Sequence, residues 1–324
     1  MDRTSGQLTP AEADRLMREL AWLRPLAPYP GWRFDCEWTN PSLAFQLRRS
    51  VWSYFAAISP EAPLIFDWYD GLAVQTYWGS DESKQLYVGG CSEPNELAFL
   101  ADFLQPGMVF FDVGANNGLF SLLAARRVGG LGSVWAFEPS RRDFARLQAN
   151  LRRNGLANVR AEPLALANFN DTADMKIAES RQAGQNTLGC FGNPVGLLRT
   201  EVVTVRTIDR VVAEAGLHRI DLVKIDAEGA EWAILDGARS ILHEGGPVLM
   251  LELFPKALEF MGSSPAAVLE LLREVGYLVY EFDPLTGRPM LSDNEPHDGN
   301  IIAAPRGVPI VADAAPQLAM AGSC

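Results

Sequence analysis

The chain has 324 residues, 48% hydrophobic and 21% charged, enough to bury a full α/β core with material to spare. A formal net charge of −12 argues against a nucleic-acid partner, which is normally met by a basic face. Cys36, Cys91, Cys190 and Cys324 are scattered and the histidines form no pair, so neither a metal site nor a disulfide framework is indicated. No apolar run reaches the roughly eighteen residues needed to span a bilayer and the N-terminus lacks a signal core, so a cytoplasmic location is expected.

Residues 1–10 are expected to be disordered. Apolar spacing at Leu16, Leu20 and Leu23 predicts a helix from Ala11 to about Leu23. The proline- and tryptophan-rich stretch from Pro25 to Pro41 reads as irregular packing. A second helix, Leu43 to Ala57, carries Phe45, Trp52, Tyr54 and Phe55, an aromatic stripe expected to pack onto the main domain. Leu64–Tyr69 and Leu72–Trp78 flank Asp70-Gly71, a dipeptide that supplies the positive backbone angles of a tight hairpin turn. A further helix is expected to enter at Glu93-Pro94 and run to Phe103, with Pro106-Gly107 as its stop.

The most informative segment is Val109-Phe110-Phe111-Asp112-Val113-Gly114-Ala115-Asn116-Asn117-Gly118, followed by the apolar stretch Leu119–Ala125. It reads as a buried strand, a glycine-framed turn and a helix, which gathers polar backbone groups at one strand end. In the register of a dinucleotide turn, Asn116 and Leu119 would replace the second and third glycines. Their side chains would obstruct a pyrophosphate and close helix–strand packing, which disfavours a nicotinamide oxidoreductase. A nucleoside cofactor without pyrophosphate fits better, and S-adenosylmethionine (SAM) is the natural candidate.

Ser133–Phe137 is a second apolar strand ending in Glu138-Pro139-Ser140, and Arg142–Asn154 reads as a helix closed by Gly155. An acidic residue at the end of the second strand is where such sheets hold ribose hydroxyls, which assigns Glu138 to the ribose. Val159–Leu166 is a third strand. Ala173–Ile177 and Glu201–Arg206 form an inserted strand pair joined by Gln182–Gly196. Then come a short helix Thr207–Leu217, a strand Ile220–Ile225 ending at Asp226, and a helix Glu228–His243. A strand Val248–Leu253, a helix started by Ser263-Ser264-Pro265, a strand Tyr277–Phe282 and a last short strand Asn300–Ala303 complete the order. Beyond Pro305 the tail reads as disordered. This alternation predicts an α/β fold, a Rossmann-like, mostly parallel sheet with helices on both faces and an N-terminal helical and hairpin extension.

Phe111–Gly118, Ala136-Phe137-Glu138-Pro139 and Asp221-Leu222-Val223-Lys224-Ile225-Asp226-Ala227-Glu228-Gly229-Ala230-Glu231 together resemble the FkbM family of SAM-dependent methyltransferases. The resemblance runs from about Glu93 to Pro305. It implies methyl transfer to a hydroxyl of a sugar, glycan, polyketide or other natural product, and an antiparallel last strand. It also places the Glu93-Pro94 entry above the cofactor, so that Glu93 or Glu96 reaches the amino group of SAM. Asn168 stands where relatives show aspartate, and Asn186-Thr187 where they often show serine. Residues 1–90 then form an extension and substrate cap, 91–305 the methyltransferase domain, and 306–324 a tail.

The expected cofactor contacts are Glu93, Asp112, Gly114, Ala115, Asn116, Asn117, Gly118, Glu138, Pro139, Ser140, Ala165 and Asp226. Strand-end carboxylates at Asp112, Glu138 and Asp226 suit a sulfonium and an ammonium group. An alcohol is a weak acid, so methylation of its oxygen calls for a base. The candidates are His297, oriented by Asp298, then Glu228 and Asp226, with Glu252 a further acid in an apolar strand. Lys224, within its strand, needs an acidic partner if buried. The alternatives are N-methylation and a SAM-binding regulator or scaffold without turnover. The expected partner is a small-molecule or carbohydrate acceptor, with no nucleic acid, no membrane span and no metal.

Overall fold

The computed structural model describes residues 9–21, 43–192, 194–243, 245–284, 286–292, 296 and 298–310. Helices α1 (Pro10–Ala21) and α2 (Leu43–Ile58) come first, then the hairpin β1 (Pro63–Asp67) and β2 (Ala73–Tyr77) and the short helix α3 (Asp81–Lys84). Helix α4 (Pro94–Phe103) leads into β3 (Val109–Val113), α5 (Leu119–Val128), β4 (Ser133–Phe137), α6 (Arg141–Asn154) and β5 (Val159–Glu162). Strands β6 (Leu164–Leu166), β7 (Asp171–Ala178) and β8 (Leu197–Arg206) make a side sheet in the order β6-β8-β7. The chain continues through α7 (Ile208–Ala215), β9 (Leu222–Ile225), α8 (Glu231–Asp236), β10 (Val248–Leu253), α9 (Pro255–Phe260) and α10 (Pro265–Glu274). Strands β11 (Tyr277–Phe282), β12 (Pro289–Leu291) and β13 (Gly299–Pro305) follow.

The main sheet has the order β12-β11-β13-β10-β9-β3-β4-β5. Strands β5, β4, β3, β9 and β10 are parallel, and Phe111 on β3 sits opposite Trp135 on one side and Val223 on the other. Strand β13 inserts antiparallel between β10 and β11, as the family resemblance implied. The chain moves outward from β3 to β5 and then returns to the far side of β3 as β9. That reversal opens a crevice at the carboxyl ends of β3 and β9, where open α/β sheets receive their ligands.

Side-chain alternation divides the core into two layers. Phe110 on β3 packs with Leu100 of α4, Leu122 of α5 and Leu147 of α6. Phe111 and Val113 face the other way, with Ile208 of α7, Ile234 of α8 and Leu272 of α10. The same alternation puts Asp112, Lys224 and Glu252 on the first face at the strand ends, since Lys224 is the register partner of both Asp112 and Met250.

The N-terminal elements pack partly on themselves. Phe45, Val51, Leu64, Trp78, Tyr87 and Val88 form a separate small core, and the Phe55 ring stacks on Trp78 at 4.8 Å. The aromatic stripe of α2 therefore covers the hairpin and not the main sheet, contrary to expectation. The far end of the same buried face, Leu72 and Val74, joins the main core. Its attachment to α6 is polar. The side chain of Asn150 accepts from the Gln75 amide (2.8 Å) and donates to the Gln75 carbonyl (3.0 Å), and Asn154 does the same with Ala73 (2.8 Å each). Residues one helical turn apart thus stand in for a strand's ladder.

Several boundaries differ from the sequence reading. The expected strand 159–166 is broken at Pro163, which has no amide to continue the ladder, and β6 leaves the main sheet for the side sheet. The expected helix 228–243 shrinks to α8, because Glu228 (φ 49°) and Gly229 (φ 103°) are left-handed and cannot begin one. Helix α9 and strand β12 were not foreseen. In the hairpin, Asp70 and Gly71 do have positive φ, but the strands end at Asp67 and Ala73. The segment Pro25–Pro41, the first eight residues and the tail beyond Ile310 lie outside the described residues. Among the described residues, no helix is long and apolar enough to cross a membrane.

Candidate active site

A cavity of about 310 Å³ lies at the carboxyl ends of β3, β4 and β9. Its floor is the turn after β3. Gly114 (φ 81°) leaves the strand, Asn116 (φ 49°) makes the bend, and Gly118 (φ 94°) opens α5. A methyl at Gly118 would meet Leu147 at 2.5 Å, so this glycine is required by the packing of α5 on α6. The amides of Gly114 and Ala115 both donate to the Phe137 carbonyl at 3.0 Å, which ties the turn to β4.

Glu138 is buried at the end of β4. Its Oε2 accepts from the Asn116 amide (2.9 Å) and its Oε1 from the Ser140 amide (2.8 Å). Each oxygen keeps a lone pair for a ligand hydroxyl. Burial, reinforced by nearby Asp143, pushes its carboxyl up to about 8. Ser140 caps α6 by accepting from the Asp143 amide, and so supports Glu138 from behind the wall.

Asp112 is almost wholly buried. Its Oδ2 accepts from the Ser121 hydroxyl at 2.6 Å, while Oδ1 has no partner. Asn117 donates through its amide nitrogen to Glu82, and its Oδ1 is likewise unpartnered. Both orphaned acceptors belong to residues that line the cavity. Burying an unsatisfied acceptor costs about 1–3 kcal/mol, so each marks a place for a donor.

Lys224 closes the β9 side. Its Nζ lies 2.8 Å from Asp226 Oδ2 and 4.6 Å from the centre of the Phe120 ring. Burial opposes its charge, but Asp226, Glu93 and Asp112 more than offset this and raise its pKa, while Lys224 holds Asp226 below the usual carboxylate range against its own burial. Glu252 shares a hydrogen bond with Asp226, and the charge of Asp226 together with burial drives its carboxyl well upward. Carboxylate oxygens of Asp226, Glu228 and Glu252 lie within 4.8 Å of one another, a spacing a cation can bridge. The Lys224 ammonium already supplies that charge at Asp226.

Glu228 borders the cavity beside this group. The Thr187 hydroxyl donates to its carbonyl at 2.9 Å, and its carboxyl has no hydrogen-bond partner among the described residues. Burial and the charge of Asp226 push it to about 8. Glu93 also borders the cavity, in a left-handed conformation (φ 47°), with its carboxyl raised by burial to about 8. Glu93, Asn116 and Glu228 are thus cavity-wall residues that each carry about 1–3 kcal/mol of backbone strain, a concentration typical of ligand sites.

The cavity wall includes Glu93, Asp112, Gly114, Ala115, Asn116, Asn117, Glu138, Pro139, Ala165, Asp226 and Glu228, all anticipated from the sequence. Gly118 and Ser140 stand behind it as supports. Glu96 is not on the wall and accepts from Asn300 at 2.7 Å. Asn168 is exposed and donates to Asp236 at 3.0 Å, away from the cavity. Asn186 lines it but is engaged with Ala178 and Asp143. His297 lies outside the described residues.

Sequence reasoning missed the roof, Thr76, Tyr77, Ser80, Glu82 and Gln85, and the apolar end built by Leu164, Leu166, Met175 and Leu188. No local pattern marks either one.

A parallel sheet with its crevice at the β3/β9 reversal, a glycine-framed turn and a ribose-height glutamate define a nucleoside-cofactor enzyme of the Rossmann-like class. The sequence model described as Methyltransferase FkbM domain matches residues 112–279. The chain belongs to the FkbM family of methyltransferases and is SAM-dependent. It is 30% identical over 208 residues to the 31-O-demethyl-FK506 methyltransferase FkbM of Streptomyces tacrolimicus, covering 56% of this chain and 77% of that protein. It is 31% identical over 207 residues to the AMB antimetabolite synthetase AmbE of Pseudomonas aeruginosa, covering 54% of this chain and a tenth (10%) of that much longer protein. The solved methyltransferase FkbM of Methylobacillus flagellatus is 17% identical with a TM-score of 0.39, covering 90% of this chain and 58% of that one.

The residues present fit SAM. Glu138 has lone pairs left for hydroxyl donors, the apolar end is lined for an aromatic ring, and Asp112 Oδ1 is an acceptor without a partner, the donor set that a nucleoside with an ammonium group would need.

Proposed function

We propose that the chain methylates a hydroxyl oxygen of a small or carbohydrate-like acceptor, with Glu228 as the base. The observation that carries this reading is the Glu228 carboxyl, unpartnered among the described residues, on the cavity wall and raised to about 8. SAM, when bound, supplies an activated methyl group on a sulfonium.

The chain's own work is positional and electrostatic. Glu138 fixes the ribose through a carboxylate already oriented by the Asn116 and Ser140 amides. Asp112, together with Glu93, receives the amino group. Lys224 keeps Asp226 ionised, so a fixed, neutralised ion pair borders the cofactor site. Glu228 takes the hydroxyl proton onto a carboxylate oxygen. A carboxylate near 8 accepts that proton far better than an ordinary one and is still partly ionised at neutral pH.

The test begins with labelled SAM and fractionated glycans or secondary metabolites, to find an acceptor. Glu228→Gln should then lower kcat by about a hundredfold or more with SAM affinity kept. Unchanged turnover would move the base role elsewhere, with His297 the next residue to replace.

A further inference from the structure

The cavity is more acidic than its cofactor requires. Glu82, Glu93, Asp226, Glu228 and Glu252 face it together with Asp112, and its wall holds two cations, Lys224 and Arg146. Both cations are already engaged. Lys224 is paired with Asp226, and Arg146 is bonded to Asp143 at 3.1 Å while its guanidinium lies 3.9 Å over the Tyr77 ring. Burial holds Glu82, Glu93, Asp112 and Glu228 toward their protonated forms, as the charge of Asp226 and burial hold Glu252. They therefore ionise fully only beside a cation, and SAM brings just two positive groups to this wall.

A second observation locates the excess. Thr76 Oγ1 is 1% exposed and has no partner, and Asn117 Oδ1, 4% exposed, has none either. Both residues line the cavity, and the amide of Asn117 donates to Glu82, which joins Glu82 to the same wall. Two orphaned oxygens and a carboxylate make a group of hydrogen-bond acceptors with one negative charge. The matching ligand offers several N–H donors and a positive charge. A divalent cation matches poorly, because the Asn117 amide already bonds the Glu82 carboxylate. Acceptors bearing carboxylate or phosphate would meet cations that are already engaged.

We infer that the methyl acceptor carries a protonated amine besides its reacting hydroxyl, and that Glu82, Asn117 Oδ1 and the Thr76 hydroxyl hold that amine. This rests on the methyl-transfer reading and adds the acceptor's charge. Thr76 and Glu82 precede the region matched to the family at residue 112, so the specificity comes from the N-terminal elements. Burial raises the Glu82 carboxyl to about 7, and a cation beside it restores its charge.

The test uses the protein loaded with S-adenosylhomocysteine (SAH), the demethylated cofactor. Calorimetry compares ethanolamine, serinamide and glucosamine with their N-acetylated counterparts, which keep the hydroxyls and lose the charge. At least one amine should bind tenfold or more tightly than its acetylated form. Glu82→Gln and Thr76→Val should each erase most of that preference and leave SAH affinity unchanged. With labelled SAM, the methyl group should appear on oxygen, with the amine still free.

Equal binding of amine and amide, or binding of neither, overturns the inference, and so does methylation of the nitrogen. A tenfold loss of SAH affinity in Glu82→Gln would give the subsite to the cofactor and overturn it as well. The wild-type comparison decides the matter even where a variant fails to fold. Failure of SAH to bind the wild-type protein would remove the methyltransferase reading itself, a different outcome from bound SAH without amine preference.

Discussion

A methyl group placed on Gly114 would land on the carbonyl oxygen of Asp226. The first glycine of the turn therefore marks the point where the β3 and β9 ends touch, and its φ of 81° excludes side chains a second time. Gly114→Ala should cost about 3 kcal/mol or more in stability and abolish SAM binding. Thermal unfolding and calorimetry measure both. A stable variant with intact affinity would contradict this geometry.

Glu138→Ala removes the proposed ribose ligand and also frees the Asn116 and Ser140 amides. SAM affinity should fall more than tenfold, at least about 1.4 kcal/mol. An unchanged calorimetric affinity would remove the ribose assignment.

Lys224 is 5% exposed, and its removal would leave Asp226 beside Glu252 without a counter-charge. Lys224→Met should cost about 3–5 kcal/mol, the usual result of breaking one side of a buried pair. Replacing both partners, Lys224→Met with Asp226→Leu, should recover part of that stability while leaving SAM unbound. Denaturant unfolding of the single and double variants checks the sign of the coupling.

The raised carboxyls set the pH response. Glu93, Glu138 and Glu228 move from 4.5 to about 8 on folding, so the folded state holds their protons more tightly than the unfolded state. Their contribution to stability is complete below about pH 4.5 and is lost as pH rises through about 8. The ligand-free protein should unfold at lower denaturant at pH 8.5 than at pH 6. Turnover should run the opposite way, climbing through about pH 8 as Glu228 ionises. A turnover profile flat across that window would exclude Glu228 as the base.

Asn150 is fully buried and bonds Gln75 twice, and it also donates to the Asn117 carbonyl at 2.9 Å. It links the hairpin to the cofactor turn. Asn150→Ala should cost about 2–4 kcal/mol, since it strands several buried backbone groups. Hydrogen exchange at the Gln75 amide should quicken more than exchange in β3. Equal protection of the two would mean that the hairpin is held by its apolar face alone.

The cofactor half of the site was legible because its cues are local. A glycine frame demands positive φ, and strand alternation puts Asp112, Glu138 and Asp226 at ends whose neighbours are fixed by a parallel sheet. Glu228, read as a candidate site residue, does line the cavity, but it was wrongly read as the start of a long helix. The Glu-Gly-Ala-Glu pattern resembles a helix N-terminus, yet Glu228 and Gly229 are left-handed and the helix waits until Glu231. Pro163 could have warned that the strand 159–166 would break. Nothing in the sequence announced Thr76, Glu82 or Asn150: Glu82 meets Asn117 35 residues away and Asn150 meets Gln75 75 residues away, with no shared period.

The asparagine clasp between α6 and β2 grips only main-chain atoms: amide and carbonyl of Ala73, amide and carbonyl of Gln75. Substitutions at Ala73 and Gln75 therefore leave these four bonds in place, whatever side chain stands there. Inserting or deleting one residue there would instead turn Thr76 toward the outside. The clasp thus reads the register of the hairpin and not the identity of its side chains.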